Sequence, residues 1–199
     1  MIGNALELGE FELWCHPHVA ARDGSIACVQ AEVRWRRQDG TFAAPAALAG
    51  TLASSATQEL FVLHMVCDAL AALRMWSADG FELDLVLALP VPPARLTAPS
   101  MQRTVEGLLA QAAIAPSRLT LRAAGVGLGD AGGGRDRECA AAPCCEVSDL
   151  LDWLRVRDND CAQAAGEFIA TPQPAYVLPA TLRRWQASYS AMSAADAFS

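Results

Sequence analysis

Apolar positions recur along the chain with the spacing of strands and then of helices. Residues 10–15 alternate polar and apolar side chains, and residues 25–36 do so over a longer stretch. Such alternation is typical of half-buried strands. The intervening Arg22-Asp23-Gly24 segment is rich in turn formers, so the two strands are predicted to form an antiparallel hairpin.

The pattern then becomes an alternation of helices and strands. Residues 45–55 and 57–76 are predicted helices, and the second carries an apolar stripe at helical spacing. Residues 82–91 form an apolar run typical of a buried strand, followed by an amphipathic helix at 100–114 and a strand at 118–126. This order predicts an α/β domain with parallel strand pairing.

A glycine-rich, charged segment without any period interrupts this pattern at residues 127–145, and we predict a flexible connector there. Beyond it, residues 148–158 are a predicted helix, residues 164–174 a short strand, and residues 178–190 a terminal helix. Residues 191–199 are predicted to be a frayed tail.

One domain accounts for this organisation. It spans residues 1–190 and contains the connector, and no internal repeat divides it. Two serines lie at the predicted starts of helices, Ser100 in the middle of the chain and Ser148 after the connector. Both are candidate N-caps, because a serine hydroxyl can accept a hydrogen bond from a free N–H of the first turn.

Composition narrows the classes of function. The chain is 53% hydrophobic with five Trp and six Phe, which is enough for a sizeable core. The formal net charge of −7 argues against broad binding to nucleic acid or to an anionic membrane. All 15 basic residues are arginines, so no mechanism that needs a lysine amine can operate.

The expected location is the cytoplasm. Seven cysteines at irregular spacing do not resemble a disulfide framework, and the first residues lack the pattern of a signal peptide. No apolar stretch is expected to span a bilayer. Neither a membrane nor a nucleic acid is therefore an expected partner.

Motifs that carry chemistry are weak in this sequence. The glycines after residue 124 do not have the spacing of a dinucleotide-binding loop, and a connector explains them better. Cys139, Cys144 and Cys145 form no CxxC pair, which makes a zinc site a weak alternative. His16 and His18 share one strand face and could bind a metal, although an ordinary polar strand end has the same pattern. No cofactor is expected.

Several stretches, in order, resemble the EAL domain family of bacterial cyclic-di-GMP phosphodiesterases. They are "ALELGEFELWCHPHV", "AEVRWRRQDGTFAAPAAL", "FVLHMVCDAL", "APSRLTL" and "GEFIATPQPAYVL". The resemblance implies a TIM-like (β/α) barrel. A complete barrel takes about 250 residues, and this chain has 199. We therefore predict an incomplete barrel of the EAL type with an N-terminal antiparallel hairpin.

The resemblance also implies that the catalytic metal ligands are lost. Family enzymes hold two divalent cations with carboxylates and an asparagine. Here Gln30 replaces the signature glutamate, Ala88 the asparagine and Gly125 a further glutamate, and the lysine motif has no counterpart. We therefore expect no phosphodiesterase activity, no catalytic residue and no bound metal.

Part of the ligand-contacting set survives in the resemblance. Arg34 corresponds to an arginine that contacts a substrate phosphate, and His16 replaces a ligand-contacting glutamine. If cyclic-di-GMP is bound, Arg34, Gln30 and His16 are the expected contacts. Glu32 stands where the family has a leucine and, by strand alternation, shares the face of Gln30.

Missing barrel units would leave apolar surface without its usual cover. The helix at 148–158 carries four candidates for an interface, Leu150, Leu151, Trp153 and Leu154. The leading hypothesis is an inactive EAL-like module that binds another protein, or a second copy, in bacterial signalling of motility, biofilm or virulence. A non-hydrolysing cyclic-di-GMP receptor is the alternative, and an active phosphodiesterase is a third.

Overall fold

An eight-stranded mixed sheet packed against helices forms the protein in the computed structural model, which describes residues 2–43, 45–124, 144–159 and 161–196. The predicted α/β class is confirmed. A short helix, α1 (Ile2–Glu7), precedes the first strand and packs against the core through Ile2 and Leu6.

The N-terminal hairpin is confirmed and is longer than predicted. Strands β1 (Phe11–Ala20) and β2 (Ile26–Arg36) pair antiparallel along their length. Gly24 has a φ of 63°, which a residue without a Cβ adopts at little cost. Oδ1 of Asp23 accepts a hydrogen bond from the N–H of Ser25 at 3.1 Å, which closes the turn. Strand β3 (Phe42–Ala43) pairs antiparallel with the C-terminal end of β2.

Parallel pairing follows in the middle of the chain, as predicted. The elements in order are α2 (Pro45–Thr51), α3 (Ser55–Ala78), β4 (Leu85–Leu89), α4 (Pro93–Leu96), α5 (Pro99–Gln111), a 3₁₀ turn (Pro116–Arg118) and β5 (Leu119–Ala123). Strand β4 pairs parallel with β2 on one side and with β5 on the other.

The C-terminal part adds strands to the other side of β1. Its elements are β6 (Cys144–Glu146), α6 (Leu150–Asp158), β7 (Gln163–Ala165), β8 (Gln173–Pro174) and α7 (Leu178–Asp196). Strands β7 and β8 pair antiparallel with β1, and β6 runs parallel to β7. Gly166, with a φ of 140°, follows β7 where the backbone passes close to Val147.

The sheet is open, which confirms the prediction of an incomplete barrel. Its strand order is β5-β4-β2-β1-β7-β6, and no ladder joins β5 to β6 in the part of the chain that the structure describes. The predicted connector lies outside the described residues, except that Cys144 and Cys145 belong to strand β6. Gly125, a predicted ligand replacement, also lies outside them.

Two apolar clusters hold the sheet to the helices. The larger one lies between the sheet and helices α1, α3 and α5, and its centre includes Phe61, Trp76 and Leu87, all fully buried. The indole N–H of Trp76 donates to the carbonyl of Ala175 at 2.9 Å, which ties α3 to the C-terminal half. The smaller cluster joins α6, α7 and the strand ends around Trp153.

Both predicted serine caps are wrong. Helix α5 begins at Pro99, so Ser100 is already inside the first turn, where proline's fixed φ suits the helix start. Helix α6 is capped by Asp149, whose carboxylate accepts a hydrogen bond from the N–H of Asp152 at 2.9 Å. Helix α7 continues to Asp196, beyond the start of the predicted frayed tail.

Disulfide pairing differs from the expectation drawn from cysteine spacing. Cys145 in β6 and Cys161 before β7 form a disulfide across a separation of 16 residues, and Cys28 is also disulfide-bonded. Cys15, Cys67 and Cys144 are free. Irregular cysteine spacing was misleading here, because the parallel pairing of β6 with β7 brings Cys145 close to Cys161.

Helix α3 is long and apolar enough, by length and composition alone, to cross a membrane, contrary to the sequence-based expectation. Half of its most apolar window is buried inside the fold, where Val62, Met65 and Leu73 pack in the larger cluster. Its apolar character is therefore explained by its place as the central core helix.

Candidate functional site

Residues predicted to contact a ligand lie together on one face of the β1–β2 hairpin. His16 and Gln30 are direct partners in the antiparallel ladder, and Arg34 lies on the same face, opposite Glu12. The alternate residues face the helices, where Val33 and its neighbours are buried. We call the opposite side the inner face, because a closed barrel would enclose it. Its members are Trp14, His16, His18, Gln30, Glu32, Arg34, Ala88, Thr120 and Arg122.

The positions of the expected metal ligands do not fit the family's pair of divalent cations. Gln30 offers a neutral amide oxygen and lies opposite Val86, while Ala88 offers no ligand atom at all. Mg²⁺ and Mn²⁺ favour charged oxygen ligands. Across the described residues, no three or more His, Cys, Asp or Glu side chains are grouped closely enough to hold a metal ion.

Glu32 and Arg34 form an ion pair on the inner face. Nη2 and Nε of Arg34 donate to Oε1 of Glu32 at 2.8 and 3.0 Å. The guanidinium also lies over the ring of Trp14, with its Cζ 3.8 Å from the ring centroid. Because the side chains are 30% and 46% exposed, the pair is reachable from solvent. The arginine expected to contact a phosphate is therefore already neutralised by a carboxylate.

Two histidines line the inner face further toward the start of β2. The rings of His16 and His18 are 5.8 Å apart between centroids and nearly perpendicular. The pKa of His18 is lowered to about 4, chiefly by burial and also by the charges of nearby His16 and Arg122, while a hydrogen bond with Gln163 opposes this effect. Burial also lowers the pKa of His16, although Glu32 and Glu146 oppose this. Both imidazoles are neutral at pH values near 7.

Arg122 is a member of this face that the sequence analysis missed. It is the partner of Ala88 in the β4–β5 ladder, and Ala88 in turn is the partner of Glu32. Its Nε is buried and has no hydrogen-bond partner among the residues that the structure describes. Strict alternation within residues 118–126 was the available signal. Leu119, Leu121 and Ala123 pack into the core, so Thr120 and Arg122 between them face the other way.

The predicted interface on α6 is only partly accessible. Leu150, Leu151 and Leu154 are 48%, 63% and 39% exposed, whereas Trp153 is 1% exposed. Placing Trp153 on the surface was therefore wrong. Its ring packs edge-on against Trp185 at 5.4 Å and is the centre of the smaller core cluster.

The site as a whole is a polar surface that can bind polar or anionic groups. Its charges are the Glu32–Arg34 pair, the guanidinium of Arg122 and the neighbouring Glu146. Neutral imidazoles and amides make up the rest.

Several solved structures have a fold similar to that of this chain. The "PaMucR Phosphodiesterase, c-di-GMP complex" is 15% identical with a TM-score of 0.69, and the match covers 89% of this chain and 97% of that chain. The FimX EAL domain of Xanthomonas citri in complex with c-diGMP is 17% identical with a TM-score of 0.64, covering 87% and 92%. The FimX EAL domain from Pseudomonas aeruginosa bound to c-di-GMP is 12% identical with a TM-score of 0.64, covering 86% and 94%.

A search of curated proteins gave no significant match. The profile of the EAL domain, in contrast, matches residues 1–124 of the 199-residue chain. This match covers the hairpin, the central helix and the parallel strands β4 and β5, which together carry most of the inner face. The chain therefore belongs to the EAL domain family.

Proposed function

We propose that this chain is an EAL domain that does not hydrolyse cyclic-di-GMP and that acts by binding another protein in bacterial signalling. The observation that carries the proposal is the state of the inner face. Gln30 and Ala88 stand at metal positions without charge, and Glu32 holds Arg34 in an ion pair. Retaining the scaffold while changing these groups favours a binding role over hydrolysis.

Protein binding is supported by the exposed leucines of α6. Leu150, Leu151 and Leu154 lie within two turns of one short helix, which follows β6, the outermost strand of the described sheet, in the chain. Clusters of large exposed apolar side chains tend to mark interfaces. The partner is another protein or a second copy of this chain, and the processes we propose by analogy are motility, biofilm formation or virulence in the cytoplasm.

Hydrolysis is tested directly with cyclic-di-GMP and excess Mg²⁺ or Mn²⁺. The expected result is no linear product above a control without protein. An authentic active EAL enzyme under the same conditions is the positive control. Metal-dependent product formation that disappears in Gln30→Ala would overturn the proposal, because it would show a working site at this position.

The partner is sought by pull-down from the native host, with the leucine variant Leu151→Asp as bait in parallel. Proteins recovered with the unmodified chain and lost with Leu151→Asp support the interface on α6. Recovery of the same proteins with both baits would move the interface elsewhere.

A second candidate function is a receptor that binds cyclic-di-GMP without cleaving it. It is favoured by the accessible position of Arg34 and by the cyclic-di-GMP-bound EAL domains among the similar structures. Titration calorimetry in the absence of metal separates the two candidates. Saturable heat that is lost in Arg34→Gln supports the receptor, and no heat at high micromolar ligand removes it.

A further inference from the structure

A covalent bond encloses helix α6. Cys145 in β6 and Cys161 before β7 form a disulfide across a separation of 16 residues, and α6 (Leu150–Asp158) lies entirely between them. A disulfide of this kind restricts the freedom of the unfolded loop, so it holds the two ends of the segment together. The stability of α6 therefore depends on whether this bond is closed.

Few other contacts attach α6 to the sheet. The strands on either side of it in the chain, β6 and β7, have three residues each. Trp153 and Val156 are the buried residues of α6, and they lie in the smaller core cluster, against which Cys145 and Cys161 also pack. When the disulfide opens, these apolar contacts remain, so we expect α6 to loosen while the rest of the sheet stays folded.

A surface cavity beside Cys161 gives access to the bond. Its volume is about 510 Å³, within the range of about 300 to 1,000 Å³ that is typical of small-ligand sites. Cys161 is half-buried and lines the cavity, whereas Cys145 does not. Arg22, Arg157 and Asp158 add guanidinium and carboxylate groups to the lining. Groups of both signs match a small zwitterionic peptide, which carries carboxylates and an ammonium.

The free thiol next to this bond does not open it. Cys144 precedes Cys145 on β6, and successive side chains of a strand point to opposite faces, so its sulfur is directed away from the disulfide. Burial and the charge of Glu146 also raise the pKa of Cys144, which keeps it protonated near pH 7. Because the thiolate is the nucleophile in disulfide exchange, the reductant must come from solution.

Location decides whether such a bond is structural or reversible. In the cytoplasm, which we propose above for this chain, small thiols keep most cysteines reduced, and the disulfides found there are usually transient or redox-sensing. A half-buried sulfur beside an open cavity is accessible to these thiols. Cys28, which is also disulfide-bonded, is only 1% exposed.

We infer that a small peptide thiol of the glutathione class binds in this cavity and opens Cys145–Cys161 reversibly, which releases α6. The thiolate of the small peptide attacks Sγ of Cys161, a mixed disulfide forms, and Cys145 leaves as a thiolate that takes a proton from water. A second small thiol attacks the mixed disulfide and leaves as the oxidised, disulfide-linked peptide. Cys161 then takes a proton as well, so two electrons pass from two small thiols to the protein disulfide.

This inference uses the location given under the proposed function but goes beyond that function, because its readouts need no partner protein. Helix α6 also carries Leu150, Leu151 and Leu154 of the proposed interface, so the state of the disulfide controls how that surface is presented. The experiment measures the bond and the helix in the purified chain. Failure to find a partner therefore leaves its outcome unchanged.

Differential labelling follows the bond. Free cysteines are alkylated with N-ethylmaleimide, the full chain is incubated with millimolar reduced glutathione, and newly released cysteines are labelled with iodoacetamide and identified by peptide mass spectrometry. We expect Cys145 and Cys161 to be labelled within about an hour, and acid quenching to trap a glutathione adduct on Cys161. Amide hydrogen exchange in α6 should become at least about tenfold faster, while exchange in α5 stays unchanged.

Variants make the test specific. Cys145→Ser combined with Cys161→Ser should show fast exchange in α6 with and without glutathione, which separates this bond from any effect at Cys28. Arg22→Gln, in the cavity lining, should slow labelling by glutathione at least about threefold and leave labelling by uncharged 2-mercaptoethanol unchanged. Arg155→Gln is the matched control, because Arg155 is exposed on α6 and does not line the cavity.

Any of three results would overturn the inference. The first is a Cys145–Cys161 bond that stays intact in millimolar glutathione, which would make it a structural bond. The second is unchanged amide exchange in α6 after the bond has opened. The third is an equal rate of labelling by glutathione in Arg22→Gln and Arg155→Gln, or an adduct on Cys145, which would place the attack outside the cavity. If the double serine variant does not fold, the unmodified chain with and without glutathione still decides the first two.

Discussion

At the scale of single residues, a change of a few side chains converts the character of the inner face. According to the family resemblance, Gln30 replaces a charged glutamate and Ala88 replaces the amide of an asparagine, whereas Glu32 adds a carboxylate beside Arg34. These changes leave the β1–β2 ladder regular from Phe11 to His18. The scaffold and the chemistry of this domain therefore vary independently.

Restoring the signature glutamate alone is expected to leave the protein inactive. Gln30→Glu supplies one charged oxygen, but Ala88 still offers no ligand and the chain has no lysine. A metal site needs several ligands in fixed geometry. Product formation from cyclic-di-GMP with Mg²⁺ or Mn²⁺ is the measurement, and turnover in this single variant would contradict our assignment of the site.

Releasing Arg34 is expected to increase affinity for cyclic-di-GMP. Glu32→Leu removes the carboxylate that accepts two hydrogen bonds from Arg34 and leaves the guanidinium free for a phosphate. We expect at least about tenfold tighter binding than in the unmodified chain, equivalent to one charged hydrogen bond. Titration calorimetry measures it. Glu12→Leu is the control, because Glu12 pairs with Arg36 instead; equal affinity in both variants would refute the role of the ion pair.

Acid is expected to destabilise the protein through His18. Its pKa of about 4 in the folded protein lies below the ordinary histidine value of 6.5, so the unfolded chain binds the proton first as the pH falls. Stability from neutral His18 is therefore complete above the unfolded pKa and is lost toward the folded one. Between about pH 7 and about pH 5 the loss from this group is about 2 kcal/mol.

Urea unfolding at the two pH values, for the unmodified chain and for His18→Gln, checks this expectation. The variant should lose less stability than the unmodified chain over the same interval. His64→Gln, on helix α3, is the control and should behave like the unmodified chain. An identical pH dependence in all three proteins would mean that His18 is not the group responsible.

At the scale of secondary-structure elements, the strands of the C-terminal third are short and depend on close backbone contacts. Strands β6, β7 and β8 have two or three residues each. Helix α6 is attached to them through the smaller core cluster, and Cys145–Cys161 links the region covalently. Strands this short are not stable by themselves, so tertiary contacts hold the region together.

Gly166→Ala is expected to destabilise this region strongly. Gly166 has a φ of 140°, and a Cβ at this position would lie 2.3 Å from the carbonyl oxygen of Val147. Because the obstacle is backbone, the strands must move, and we expect a loss of more than about 2 kcal/mol. Gly107→Ala in helix α5 is the control, since its Cβ meets nothing within 4 Å. It should leave stability unchanged or raise it slightly; equal urea midpoints for the two variants would contradict the expectation.

At the scale of the whole molecule, the described sheet is open, so it has two edge strands that a complete barrel would pair with further strands. Strands β5 and β6 are the outermost strands of the described sheet. Exposed sheet edges and apolar side chains are usually covered by further chain or by a partner. We therefore expect association with a partner to depend on the architecture and not on one residue.

Self-association or complex formation is expected to depend on the exposed leucines and not on Trp153. Leu151→Asp should shift light scattering toward the monomer, or abolish the recovered complex, without lowering the melting temperature. Trp153→Ala should instead lower the free energy of unfolding by about 3 to 5 kcal/mol, because its ring is buried within the chain. A monodisperse monomer at tens of micromolar, with no partner recovered from the host, would contradict the role of this surface.

Local sequence patterns were sufficient to predict most secondary-structure elements and the family. The hairpin, the α3 helix and the parallel β4–β5 pair followed from apolar periodicity, and the EAL resemblance followed from ordered motifs such as Gln30 to Trp35. Helix caps were less predictable, since Pro99 and Asp149 competed with nearby serines for the same positions. The candidate site was predicted in part: His16, Gln30 and Arg34 share a face, but Arg122 was not recognised.

By itself, the sequence determined where most of the helices and strands lie and which side chains alternate on a strand, because these depend on fixed periods of the backbone. The predicted strand at 164–174 is an exception, since it is divided into β7 (Gln163–Ala165) and β8 (Gln173–Pro174). Only the tertiary structure decided that Trp153 packs against Trp185, that Cys145 meets Cys161, and that Arg122 has no partner among the described residues. Each of these depends on which distant segments come together. That is a property of packing in three dimensions, and no local pattern records it.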